Sequence, residues 1–76
     1  MEIETIDAVG LLCPLPVLRA RKRLAALAPG ALVRLVADDP AAVVDVPHFC
    51  AEAGHALIAV EEDEQTRRFL IRKAEG

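Results

Sequence analysis

Cys13 stands in the stretch GLLCPLPVL, residues 10–18, between a glycine and two prolines. A cysteine packed inside a strand or helix needs no proline at its shoulder. Pro14 at the first position of a helix leaves no N–H unpaired, and its ring already sets the helical φ. Cys13 then falls at the N-cap, where free backbone N–H groups and the positive end of the helix dipole favour an anion. There a thiol is expected to drop from about 8.5 into the range of about 3.5–7.5 found for activated cysteines. Pro16 stiffens the first turn, so Pro14 and Pro16 together present the sulfur from a rigid base. The expectation is a reactive thiol. The plainer alternative is a small buried residue filling a strand–helix junction.

What such a thiol could do is narrowed by its surroundings. No second cysteine lies at C-x-x-C spacing, which disfavours a thioredoxin-type dithiol. His48 and His55 are the only histidines, and they read as helix-surface or helix-end residues. No general base for acyl transfer is evident. A nucleophile without a dedicated base suits chemistry in which the thiolate itself suffices, and sulfur transfer is such a chemistry. Cys50, beside Phe49 and near Ala51 and Ala53, reads as a small core residue. His48 and Cys50 are two apart and share no helix face, so His48, Cys50 and His55 are not expected to bind a metal. No cofactor is called for.

The elements that must position Cys13 follow from periodicity. Residues 2–8 read as a first strand, although Ile3 and Ile6 break strict alternation. Asp7 to Leu12 turns, with Gly10 supplying backbone freedom. From Pro14 to about Leu27 the pattern is helical: Val17, Ala20, Leu24, Leu27 and Ala28 share one arc, and Arg19, Lys22 and Arg23 lie opposite. The Pro29–Gly30 pair stops the helix. ALVRLVA (31–37) is a buried strand. Pro47 conflicts with a helix running through AAVVDVPHFCAEAG. The conflict eases if 40–44 form a short turn, Asp45 caps a helix that places Pro47 in its first turn, and Gly54 ends it. ALIAV (56–60) and RRFLIRK (67–73) complete a β-α-β-α-β-β order. Two helices cannot cover both faces of a four-stranded sheet. The expected fold is therefore an α/β (α+β) two-layer sandwich, a mixed sheet with both helices on one face.

Composition sets the outer bounds. The 76 residues are expected to form a single domain, 1–76, and 54% hydrophobic residues suffice for a core without staples. Two cysteines are far from a secreted disulfide framework. The acidic N-terminus, MEIETIDAVG, does not read as a signal peptide, and no apolar run approaches the ~20 residues of a membrane span. The expected location is the cytoplasm, with no membrane contact. A net charge of −3 argues against direct nucleic-acid binding. Charge is nevertheless unevenly spread: RARKR (19–23) is basic and EEDE (61–64) acidic, which leaves room for docking a charged protein.

With these residues in place, DAVGLLCPLP resembles the D-x-x-G-x-x-C-P-x-P signature of the TusA/SirA-like sulfurtransferases. The likeness continues through RK (21–22), PG (29–30), ADDPA (37–41), DVPHFC (45–50), GH (54–55) and FLIRK (69–73). It spans nearly the whole chain and looks most like the TusA branch. The resemblance implies a two-layer α/β sandwich and a sulfur carrier. The cysteine matching Cys13 would accept persulfide sulfur from a cysteine desulfurase or other sulfur donor and pass it to a downstream sulfur-relay protein. In the best-known pathway the sulfur reaches 2-thiouridine of tRNA. Related proteins serve sulfur oxidation or molybdenum-cofactor maturation. One departure stands out: the family often has a basic residue before the cysteine and a polar one between the prolines, whereas this chain has Leu12 and Leu15. That apolar rim, with Arg19, Lys22 and Arg23 below it, is the expected partner-binding surface.

Two other readings compete with the carrier. A redox switch would join Cys13 and Cys50 in a disulfide. A non-catalytic interaction module would use the Leu11–Leu12–Leu15 rim and tolerate loss of the thiol.

Overall fold

The segment LVRLVA builds the centre of the molecule, because its alternate side chains Val33, Leu35 and Ala37 are fully buried while those between are half-buried. The computed structural model describes residues 3–75. Its elements are β1 (Ile3–Asp7), α1 (Leu15–Ala25), β2 (Leu32–Ala37), α2 (Ala42–Ala53), β3 (Ala56–Glu62) and β4 (Arg67–Arg72). The first residue assigned to β1 from sequence, Glu2, lies outside the described residues. The order in the sheet is β1-β2-β4-β3, with β1 parallel to β2 and both contacts of β4 antiparallel. This is the expected mixed sheet in the expected β-α-β-α-β-β order.

Each helix bridges two strands that point the same way, so both helices begin at the same end of the sheet. Ala20 and Leu24 of α1 and Val46, Phe49 and Cys50 of α2 pack onto Val33, Leu35, Phe69 and Ile71. Val17 and Leu27 lie against that core as expected, whereas Ala28 is exposed and Pro16 is buried in its place. Burying large apolar side chains supplies most of the stability, at about 1.5–3 kcal/mol for each Leu- or Phe-sized group.

The second helix departs from expectation. It starts at Ala42, with Ala41 as N-cap, so Asp45 lies inside the first turn and Pro47 inside the helix. Its first turn is held by tight bonds: Ala42 N to Asp39 O at 3.0 Å, Val43 N to Pro40 O at 3.2 Å and Val44 N to Ala41 O at 3.1 Å. The bond that Pro47 cannot make would have reached the carbonyl of Val43, an exposed residue open to solvent. Burial of Val46, Phe49 and Cys50 on either side of it outweighs that loss. Gly54 ends the helix as expected, at φ 80°.

The β3–β4 hairpin closes through Asp63, whose carboxylate accepts from Gln65 N and Thr66 N, both at 2.8 Å. These bonds and Arg68 hold Asp63 well below the usual carboxylate range. Among the described residues, no helix is long and apolar enough to cross a membrane.

Candidate functional site

At the end of the sheet where both helices begin, Cys13 is exposed. It is not the N-cap of α1. Pro14 takes that place, and Pro16 falls in the first turn, so Cys13 stands one residue outside the helix. Donors that could serve its sulfur are mostly spent. Leu15 N goes to Leu12 O at 2.8 Å, Leu18 N goes to Pro14 O at 3.1 Å, and Pro16 has no N–H.

The backbone of Cys13 is tied to the far loop. Its N–H donates to Asp39 Oδ2 at 2.6 Å, while the other oxygen of Asp39 accepts from Ala41 N at 3.1 Å. Asp38 Oδ1 accepts from Gly10 N at 2.9 Å in the same way. Two neighbouring aspartates after β2 thus fix both the turn before α1 and the start of α2. Gly10, at φ 86°, supplies the left-handed backbone that this turn requires.

These carboxylates reverse the expected electrostatics. The thiol of Cys13 is pushed up from its ordinary value, first by the Asp45 carboxylate beside it in the cleft. Partial burial and the charges of Asp45 and Asp39 act in the same direction. Lone-pair acceptors and negative charge beside a sulfur favour S–H over S⁻. The site therefore disfavours the thiolate that a place at the N-cap would have favoured.

Cys13 opens onto a shallow cleft of about 170 Å³ between the two helices, lined by Pro14, Val17 and Arg21 from α1 and by Asp45, His48, Phe49 and Glu52 from α2. The spacings explain the meeting. Pro14, Val17 and Arg21 recur at three and four residues along one helix face, as do Asp45, His48, Phe49 and Glu52 along the other. The Arg21 guanidinium stands 5.4 Å from the Phe49 ring centroid. His48 Nε2 lies 3.0 Å from Glu52 Oε1, so it is a helix-surface residue as expected, yet it borders the cleft. Sequence reasoning passed over Arg21, Asp39 and Glu52 and read Asp45 only as a cap. A larger hollow of about 690 Å³ at Leu27–Leu32 lies at the opposite end of β1 and β2, away from the thiol.

The rest of the expected surface divides. Leu12, at 69% exposure, and Leu15, at 48%, form the anticipated apolar rim, extended by exposed Val9 and Leu18. The basic arc is not free as expected. Arg23 forms a two-pronged ion pair with Glu4, one arm at 2.7 Å, and Arg19 donates to Asp7 O at 2.9 Å. Their side chains reach back to β1 because that strand runs beside α1 and offers acceptors. Lys22 has no ion pair among the described residues. Cys50 is buried in the core, and burial pushes its thiol up. It faces away from solvent while Cys13 is exposed, which disfavours the disulfide switch. His55 accepts from Ala74 N at 2.9 Å and stacks near Phe49, a packing role at the helix end.

Comparison with known proteins accords with this arrangement. The SirA-like protein from Desulfitobacterium hafniense is 32% identical, and its structure covers 97% of this chain and 100% of its own, with a TM-score of 0.81. A family profile described as sulfurtransferase TusA matches residues 4–73, a span that runs from β1 through Cys13 and both helices to the end of β4. A match over nearly the whole sheet-and-helix frame makes this chain a member of the TusA sulfurtransferase family, whose general work is the transfer of sulfur between proteins.

Proposed function

We propose that this chain is a persulfide carrier in which Cys13 takes sulfane sulfur from a cysteine desulfurase or comparable donor. It then gives the sulfur to a downstream relay protein, toward the 2-thiouridine of tRNA. The observation that carries the reading is one exposed cysteine, held by its own backbone at the end where both helices begin. The chemistry needs no cofactor. The sulfur of Cys13 attacks the terminal sulfur of a donor persulfide. A new S–S bond forms on Cys13 as the donor's S–S bond breaks, and the donor cysteine leaves as a thiolate. No net oxidation occurs. Asp45 is placed to receive the thiol proton as attack begins, and Pro14 and Pro16 present the sulfur beyond the helix. The rim of Leu12 and Leu15 supports docking by apolar contact, and a small contact suits a carrier that must leave each partner.

Two measurements test this. Incubation with a desulfurase and cysteine should add one sulfur to the intact mass, removable by reductant. Cys13→Ser should abolish the gain and Cys50→Ala should keep it; the opposite pattern would refute the site. For the pathway, removal of this protein from its host should deplete 2-thiouridine in tRNA hydrolysates. Unchanged 2-thiouridine would point to a different acceptor.

A further inference from the structure

The cleft beside the thiol contains one cation with no acidic partner. Among the described residues, Arg21 makes no ion pair and lies against the Phe49 ring. The other basic group bordering the cleft, His48, is engaged by Glu52. The arginines on the neighbouring turn, Arg19 and Arg23, are held by β1. Arg21 is also absent from the groups that shift the thiol, although it lines the same cleft. It stands on α1, about two turns beyond Pro14 on the same face of the helix.

Loading changes the geometry and the charge. A persulfide extends the side chain by one S–S bond, ~2.0 Å. It is also a stronger acid than the thiol it replaces, because its charge rests on a sulfur bonded to another sulfur. At neutral pH the terminal sulfur is therefore an anion, placed among Asp39 from the loop after β2, Asp45 and Glu52 from α2, His48 and Arg21. Three of those groups are carboxylates, and an anion has only one unengaged cation to meet.

We propose that Arg21 is the binding residue for the loaded sulfur, its guanidinium pairing along the cleft with the terminal sulfur of a Cys13 persulfide. Val17, Pro14 and Phe49 form the apolar wall behind it. Asp45 acts against the anion on the empty carrier, and Arg21 acts in favour of it on the loaded one. This rests on the reading that Cys13 carries a persulfide.

The test loads sulfur chemically, so that it does not depend on any donor protein. In a Cys50→Ala background, Cys13 is converted to its mixed disulfide with thionitrobenzoate and treated with hydrosulfide. Hydrosulfide forms the new S–S bond and thionitrobenzoate leaves as its thiolate. The persulfide is then titrated by its near-ultraviolet absorbance, and the unloaded thiol by its rate of alkylation against pH. Arg21→Met keeps an apolar stem over Phe49, and Arg21→Gln serves if the Met variant folds poorly. Loss of the cation should raise the persulfide midpoint by about half a pH unit or more and leave the thiol midpoint in place. Arg21→Lys should titrate like the wild type. An unmoved persulfide midpoint, an equal shift of both midpoints, or a Lys variant that behaves like Met would overturn the proposal. Failure of a desulfurase to load Cys13 would instead refute the carrier reading and leave this titration standing.

Discussion

At Cys13 the decisive forces are carboxylates, not the helix dipole. A dipole acts within its first turn and is worth a fraction of a kcal/mol at an exposed position. Here the Asp45 carboxylate and the charge of Asp39 both act against S⁻. Negative charge raises the cost of S⁻, so removing it must lower that cost. Asp45→Asn should move the midpoint of Cys13 alkylation to lower pH, read as iodoacetamide rate against pH. An unchanged or higher midpoint would show that Asp45 does not set the thiol. The same substitution removes the group placed to take the proton, so persulfide uptake near neutral pH need not follow the thiolate fraction. That a helix begins beside Pro14 and leaves Cys13 exposed was legible from residue types alone. The electrostatics were not, because Asp39 and Asp45 reach the sulfur only after the chain has crossed β2, and no local pattern predicts that meeting.

Among the elements, α2 depends most on its two ends. Its start is built from short backbone bonds and the bridging carboxylate of Asp39, and its stop is the left-handed Gly54. A side chain at Gly54 would meet only Ala74 Cβ at 3.9 Å, an ordinary contact, so any penalty comes from backbone conformation. Gly54→Ala should cost about 1–2 kcal/mol. In a domain of this size that lowers Tm by roughly 4–8 °C per kcal/mol. A thermal melt that stays within a degree of wild type would mean that the helix ends by another route. Both helices, the buried strand and the hairpin were readable because periodicity and Gly or Pro punctuation agree there. The start of α2 was misplaced because Pro47 was weighed as a local fault, and core burial on either side of it decided otherwise. The faces carrying Pro14, Val17 and Arg21 and carrying Asp45, His48, Phe49 and Glu52 were visible as spacings. That they face one another is a fact of packing, and it is what makes the cleft.

Over the whole molecule, the end that carries Cys13 and the core are separate. Phe69, Leu35, Ile71 and Val33 are fully buried behind the helices, whereas Val9, Leu12, Leu15 and Leu18, close to Cys13 in the chain, are exposed. Leu15→Asp should therefore spare the fold, and an acidic residue in the first turn of α1 suits its dipole. Persulfide transfer should nevertheless slow about tenfold, the equivalent of losing one partly buried leucine from an interface. The loss should persist at high salt, since apolar contact is not screened. Equal transfer rates for Leu15→Asp and wild type would place the docking face elsewhere. The burial of Cys50 has a further consequence. A carrier with one accessible thiol has a single berth, so every sulfur it delivers must pass through Cys13. Flux through it then scales with copy number and turnover of encounters. A cell that needs more sulfur delivered must make more of this protein or shorten each round trip.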